Sequence, residues 1–223
     1  MEKILKIKNW LLQNRIKKST FFLFSLVLFS DNNFAQNNLV PNYSFENYSA
    51  CPPQFNSIGY MTPWFQPNYP YAGVNGSSDA KHACAGFVPT NTFTFQFART
   101  GDGYAGIQLF YGPGINEDKG REYIEVALTD TLKANKKYCV KLYVNKGDYS
   151  GYPIKQIQAV LTNDSLLYGD WEYKYITGVT PILEADSIIN DSANWVPVQD
   201  VYLANGGEKF ITIGNFSPGA LVD

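Results

Sequence analysis

Short runs of alternating hydrophobic and polar residues dominate the second half of the chain, and this pattern is typical of β-strands. The clearest run, Lys137 to Asn145, places Tyr138, Val140, Leu142 and Val144 on one face. Turn residues separate the runs, and no apolar stripe of helical period and useful length follows residue 35. The pattern predicts an all-β sandwich.

Several other segments have the length and β-propensity of strands. The run 210–213 follows a Gly-Gly turn, and Gly214 ends it, as a glycine does where a bulge forms or another backbone comes close. Residues 47–100 are rich in proline and glycine and predict a long connection, in which short strands such as 93–97 are hidden. The remaining predicted strands are 43–46, 104–110, 121–128, 154–162 and 195–203.

The first 35 residues predict a secretory signal peptide. Six basic residues precede an apolar run from Phe21 to Phe29, and a cleavage point follows Ala35. The run is too short to span a bilayer, although an uncleaved membrane anchor is the alternative. We therefore expect an exported protein, at the cell surface, associated with the outer membrane or extracellular, in which residues 36–223 form the folded module.

Export changes the charge of the protein. The signal peptide takes six of the 18 basic and two of the 20 acidic side chains, which leaves a net charge of −6. An acidic domain of this kind has no general attraction to nucleic acid or to anionic lipid, and we expect no nucleic-acid partner.

Export to an oxidising compartment would allow the three cysteines to form disulfides. Cys51 and Cys84 lie in loop-like surroundings, and a disulfide between them would close a long loop. Cys139 lies inside a predicted strand, where we expect a buried free thiol. A zinc site is not supported, because the chain has one histidine and no C-x-x-C motif.

Several segments, in their order along the chain, resemble the galactose-binding-like jelly rolls of the carbohydrate-binding-module type, as found at the N-terminus of bacterial envelope proteins of the OmpA family or of sorted surface proteins. The likeness begins with Asn38 to Glu46 and continues through Trp64 and Gly103 to Ile107. It also includes Arg121 to Ile124, Trp195, and the segment from Gly206 to Phe216.

The resemblance implies a jelly-roll β-sandwich, and it implies that this chain is truncated before its last strand. A further domain C-terminal to Asp223 is therefore expected. In many such modules the glutamate at the position of Glu46 helps to bind a structural calcium ion, which takes six to eight oxygen ligands. Apart from this calcium, no cofactor is implied, and an exposed, solvated Glu46 is the alternative.

The resemblance and the aromatic loops together predict a non-catalytic recognition module whose partner is a carbohydrate or a cell-envelope glycan. Rings in loops can cover the apolar faces of sugars, while Arg121 and Asp148 supply hydrogen bonds. The alternative is that the rings only pack the loops onto the sandwich. A structural or adhesive envelope domain is the second functional hypothesis, and a polysaccharide hydrolase is less favoured. The predicted platform rings are Tyr69, Tyr71, Tyr111, Tyr149 and Tyr152.

Catalytic signatures are weak in this sequence. A Ser-His-Asp triad could use only His82, and the G-x-S-x-G motif is absent. A glycosidase needs two facing carboxylates, whereas Glu122 and Glu125 fall on opposite faces of a strand. The sequence therefore predicts that the protein is not an enzyme.

Overall fold

The structure is a computed structural model that describes residues 37–67, 77–110, 120–154, 156–167 and 175–218. The chain divides into two units, Met1–Asn37 and Asn38–Asp223, and all the described strands belong to the second unit. These strands form antiparallel sheets with almost no helix, so the predicted all-β sandwich is confirmed. No helix among the described residues is long and apolar enough to cross a membrane.

Eight strands are present in the described residues, and only two 3-10 turns, Ile58–Tyr60 and Ala83–Ala85, interrupt the β-structure. One sheet has the order β3-β8-β5-β6, and the pairs β1-β2 and β4-β7 form two smaller sheets. The strands are β1 (Asp79–His82), β2 (Gly103–Gly106), β3 (Ile124–Ala127), β4 (Lys137–Val144), β5 (Gln158–Thr162), β6 (Leu183–Glu184), β7 (Val196–Leu203) and β8 (Phe210–Gly214).

Strand β8 lies at the centre of the four-stranded sheet. Its residue Ile211 pairs with Val126 of β3 on one side and with Leu161 of β5 on the other. Phe65 adds an antiparallel bridge to Glu125 at the outer edge of β3. A β-branched and aromatic run is favourable here because both edges of the strand are paired and its side chains meet neighbours on the pleated surface.

The main core lies between the four-stranded sheet and the β4-β7 pair. Tyr138, Val140, Leu142 and Val144 of β4 all pack against this core, as the alternating pattern predicts. Strand β4 pairs with β7 over its whole length, from Lys137–Leu203 to Val144–Val196. The buried residues from the sheets include Ile124, Val126, Ala159, Leu183, Val198 and Ile211, and residues from the preceding connection, Ile58, Met61 and Trp64, join them.

A second apolar cluster contains Tyr123, Val160, Ile176 and Phe216. The Tyr123 hydroxyl donates a 2.6 Å hydrogen bond to the carbonyl of Asn215 and accepts one from the backbone of Ile176. Gly214 lies against this cluster, since a Cβ there would be 2.7 Å from Tyr123 Cε1 and 3.0 Å from the Glu122 carbonyl oxygen. The close approach expected at Gly214 is therefore confirmed.

Two predictions about local structure are wrong. Residues 43–46 form a turn rather than a strand, with positive φ at Asn42 (45°) and Phe45 (60°). Cys139 is exposed, because the alternation that turns Tyr138 and Val140 inward turns Cys139 outward. The sequence does not predict strands β1 and β6, since neither Asp79–His82 nor a two-residue strand carries an alternating apolar signal.

The disulfide between Cys51 and Cys84 is present, with Cα atoms 5.9 Å apart, as predicted. It joins the proline-rich connection to the end of β1 across a sequence separation of 33 residues. The connection is therefore attached at Phe65 to β3 and at Cys51 to the turn that follows β1.

Candidate functional site

Three phenylalanines are exposed in the segment that precedes β2. Phe93, Phe95 and Phe97 have exposed fractions of 47%, 56% and 62%, whereas Thr94 and Gln96 between them are only 6% and 7% exposed. The usual polarity is therefore inverted, with polar side chains inward and large apolar rings in solvent. We call Phe93, Phe95 and Phe97 the phenylalanine row.

Polar contacts hold the backbone of the row in place. Asn91 accepts a hydrogen bond from the Phe93 N–H and donates to the Tyr104 hydroxyl at 2.7 Å. Asp148 accepts from the Phe95 N–H at 2.8 Å and from the Thr94 hydroxyl at 3.0 Å. Because these groups fix Thr94 and the backbone, the alternation of an extended chain directs the rings to solvent.

Other exposed rings lie beside the row. Phe55 contacts Phe93 edge-on, with ring centroids 5.9 Å apart, and Phe95 contacts Phe97 in the same way at 5.7 Å. Tyr149 is 71% exposed, and its backbone N–H donates to the Phe93 carbonyl. The exposed rings therefore form two contacting pairs, Phe55 with Phe93 and Phe95 with Phe97, rather than scattered single rings.

An open groove of about 490 Å³ lies at the Phe95 and Phe97 end of the row, and its lining is Phe95, Gln96, Phe97, Asp148, Ser192 and Ala193. Asp148 is the one charged residue among these lining residues. The pKa of its carboxyl is lowered, first by the hydrogen bond from the Phe95 backbone and then by the side chains of Ser192 and Thr94. The groove therefore combines two exposed rings with a carboxylate that stays ionised at neutral pH.

A buried ion pair lies under the Phe93 end of the row. The Lys81 ammonium is 3.1 Å from Asp79, and the side chains are only 2% and 10% exposed. The same ammonium lies 5.2 Å from the ring centroids of both Phe55 and Phe93, a cation–π distance, and donates to the Gln54 carbonyl. Burial opposes the charge of both groups, lowering the pKa of Lys81 and raising that of Asp79.

Glu122 is a third ionisable group associated with this pair. Its carboxylate accepts a 2.8 Å hydrogen bond from the Gln108 N–H, and burial raises its pKa to about 7. The charges of Asp79 and Lys81 act on it in opposite directions and more weakly. Glu125, by contrast, is fully buried and accepts from Ser165, Leu166 and Thr212, which gives it a structural role.

The predicted ligand residues fall into different places. Asp148 and Tyr149 lie at the phenylalanine row, while Tyr152 packs on Phe110 with ring centroids 6.0 Å apart. Arg121 is fully buried and donates to the Leu109 and Ser217 carbonyls, so it does not belong to the exposed aromatic surface. The predictions for Tyr69, Tyr71 and Tyr111 lie outside the described residues.

Glu46 is held by the turn before β2. One of its carboxylate oxygens accepts from the Asp102 and Gly103 N–H groups at 2.9 and 3.1 Å, and the other lies 3.9 Å from His82 Nε2. No group of three His, Cys, Asp or Glu side chains assembles in the part of the chain that the structure describes. Since Ca²⁺ also uses backbone oxygens, a calcium site at Glu46 stays a prediction.

The sequence carries a partial signal for the phenylalanine row. Aromatic and polar residues alternate from Phe93 to Phe97, which indicates an extended segment, but alternation does not say which set faces the core. The ion pair of Asp79 and Lys81 gives no signal in the sequence, because charged residues in a proline-rich region are usually solvated.

No family model and no curated protein sequence matches the chain. Among solved structures, the chain is similar to a Stig cyclase, Fisc, from Fischerella sp. TAU, crystallised in complex with (3Z)-3-(1-methyl-2-pyrrolidinylidene)-3H-indole. The identity is 14%, the TM-score is 0.48, and the match covers 80% of this chain and 88% of that one.

This finding corrects two sequence-based predictions. The similar structure is that of an enzyme with a bound indole compound, which points away from the predicted non-catalytic carbohydrate-binding module and from the predicted absence of enzymatic activity. At this identity and TM-score, the likeness does not transfer the activity of the cyclase to this chain.

Proposed function

We propose that the protein binds a small organic ligand carrying an apolar ring in the groove beside the phenylalanine row. The observation that carries this proposal is the inverted exposure of residues 93–97, where three rings face solvent and Thr94 and Gln96 are buried. Burying a phenylalanine side chain is worth about 1.5–3 kcal/mol, so leaving three rings exposed sacrifices stability. Contiguous apolar patches of this kind mark binding sites in soluble proteins.

The geometry favours a small ligand over a loose surface contact. Phe95 and Phe97 stand edge to face beside the groove, so a ring placed there can pack against both. Hydrogen bonds from the Thr94 hydroxyl and the Phe95 N–H to Asp148 fix the groove wall before a ligand arrives. Such preorganisation reduces the entropic cost of binding.

Benzyl alcohol is a suitable neutral probe, and its binding can be followed by NMR from the amide shifts of residues 93–97. We expect saturable shifts at the row and their loss in the double variant Phe95→Ser/Phe97→Ser. The control is Ile188→Ser, because Ile188 is another exposed apolar residue, at 57%. If benzyl alcohol causes no saturable shift at the row, or binds the double variant equally well, the proposal is wrong.

Proton transfer at Glu122 is a second candidate function. A partly buried carboxyl with a pKa raised to about 7 can give or take a proton near neutral pH, as general acid–base catalysis requires. The carboxylate is held by the Gln108 N–H, and its neighbours Asp79 and Lys81 already neutralise each other. A substrate reaching Glu122 would therefore meet one reactive carboxyl.

The probe 5-nitrobenzisoxazole tests this second candidate. Glu122 would take the proton from carbon, the N–O bond would break, and a cyanophenolate would form. We expect the wild type to accelerate this elimination about 10²-fold over Glu122→Gln, and the control Glu184→Gln to keep the full rate. Equal rates for the wild type and Glu122→Gln would exclude the candidate.

We further propose that the protein is exported and that its sandwich is a galactose-binding-like jelly roll. The disulfide supports export, because such bonds persist in oxidising compartments. Contacts among the motif residues support the jelly roll. The Asn42 side chain forms hydrogen bonds with the backbones of Asn47 and Thr62, and the rings of Phe45 and Trp64 pack with centroids 5.2 Å apart. N-terminal sequencing of the exported protein should give Gln36 as the first residue, and an intact N-terminus would contradict the cleavage.

A further inference from the structure

The groove beside the phenylalanine row contains a fixed negative charge as well as aromatic rings. Asp148 lines the groove together with Phe95 and Phe97, and it is the one charged side chain in that lining. Its carboxylate is held by the Phe95 N–H at 2.8 Å and by the Thr94 hydroxyl at 3.0 Å, both on the same oxygen, Oδ2. The charge is therefore fixed in position relative to the rings.

The cations near the groove lie outside its lining. Lys146 lies two residues before Asp148 and acts on its carboxylate, but it is not part of the groove lining. Lys81 is buried under Phe93 and already paired with Asp79 at 3.1 Å. Arg99 is stacked on Tyr143, 3.4 Å from the ring centroid. No cation among the described lining residues therefore compensates Asp148.

Aromatic faces and a carboxylate are the two groups that recognise organic cations. The face of a benzene ring carries negative electrostatic potential, so an ammonium placed over it is attracted. A carboxylate in the same lining adds direct Coulomb attraction and a strong hydrogen-bond acceptor. Anionic ligands would be repelled from the same groove.

We propose that the ligand of the phenylalanine row is an organic cation, a ring-bearing amine or ammonium compound whose positive group faces Asp148. This inference rests on the proposed binding function and adds the charge of the ligand to it. Asp148 is then the residue that determines specificity, and Phe95 and Phe97 supply the apolar contact.

Three probes of similar size and different charge test the inference: benzylamine, benzyl alcohol and benzoate at pH 7. We expect benzylamine to bind about three- to tenfold more tightly than benzyl alcohol, and benzoate to bind most weakly. Asp148→Asn should make benzylamine bind no more tightly than benzyl alcohol, because the negative charge is lost while the asparagine oxygen can still accept from the Phe95 N–H. Asp186→Asn is the control, because it changes an acid on a different segment.

The outcomes separate the two proposals. If benzyl alcohol binds at the row and benzylamine binds no better, the charge preference is wrong and the binding function stands. If neither probe binds at the row, the proposed binding function is wrong. Should Asp148→Asn not fold, the salt dependence of the wild type decides, because NaCl should weaken benzylamine binding and leave benzyl alcohol binding unchanged.

Discussion

The indole Nε1 of Trp195 donates a 3.0 Å hydrogen bond to the carbonyl of Phe97, a residue 98 positions earlier in the chain. Trp195 immediately precedes β7, and its ring also packs edge-on against Tyr104 of β2, with centroids 5.6 Å apart. One side chain thus ties the end of the phenylalanine row to both small sheets. The position of the row depends on this contact as well as on Asp148.

Trp195→Phe keeps the ring contact and removes the hydrogen bond. We expect a loss of about 1 kcal/mol in the free energy of unfolding, together with weaker benzyl alcohol binding. Trp64→Phe is the matched control, since Trp64 also donates one bond, to the Asn42 carbonyl at 3.0 Å. Urea denaturation and NMR titration check both effects, and an equal loss of binding in the two variants would contradict the role of Trp195.

Gly214→Ala should destabilise the protein strongly. The added methyl group would meet the ring of Tyr123, which is fully buried and hydrogen-bonded through its hydroxyl. Overpacking of a filled core costs about 1–3 kcal/mol. Gly151→Ala is the control, because a Cβ there meets nothing within 4 Å. Thermal unfolding of both variants provides the measurement, and equal stabilities would argue against the packing described for β8.

Loss of the Cys51–Cys84 disulfide should lower stability by about 3–4 kcal/mol, because the bond closes a long loop, with a sequence separation of 33 residues. The double variant Cys51→Ser/Cys84→Ser tests this by urea denaturation. Cys139→Ser should change little, since this cysteine is free and exposed. A double variant as stable as the wild type would show that the loop is held by other contacts.

Glu122 should make the stability depend on pH. Its folded-state pKa, about 7, is raised above the ordinary value of 4.5. Between these values the folded state retains a proton that the unfolded state has lost, so the folded state is favoured at low pH and loses stability as pH rises toward and through 7. Glu122→Gln should remove this decline, because an amide does not ionise in this range, and its oxygen can still accept from the Gln108 N–H.

Urea denaturation at several pH values between 4 and 8 provides the measurement for Glu122. The wild type should become less stable relative to Glu122→Gln as the pH increases through this range. Glu184→Gln should follow the wild type, because Glu184 is exposed on β6. If the stabilities of the wild type and Glu122→Gln depend on pH in parallel, the raised pKa does not belong to Glu122.

Lys81→Met should destabilise the protein because it leaves Asp79 buried without its partner. Removing one member of a buried ion pair costs about 3–5 kcal/mol. The double variant Asp79→Asn/Lys81→Met should recover part of this loss, since no uncompensated charge remains. Chemical denaturation of both variants checks the prediction, which is wrong if the single and double variants are equally stable.

The sequence by itself determined which residues share a face and where most of the longer strands form. Alternation has a period of two, so Tyr138 and Val140 had to fall on one side of β4 and Cys139 on the other. Glycine and β-branched residues likewise indicated β8 and the close packing at Gly214. These properties are local, since they follow from backbone geometry and side-chain shape.

Only the tertiary structure decided which face met the core and which met solvent. Phe93, Phe95 and Phe97 alternate like a buried strand, yet Asn91, Asp148 and Trp195 bind the backbone of that segment, and Thr94 and Gln96 rather than the rings are buried. Lys81 is buried because Asp79, Phe55 and Phe93 surround it. Such arrangements depend on residues distant in sequence, whose contacts a periodic pattern does not encode.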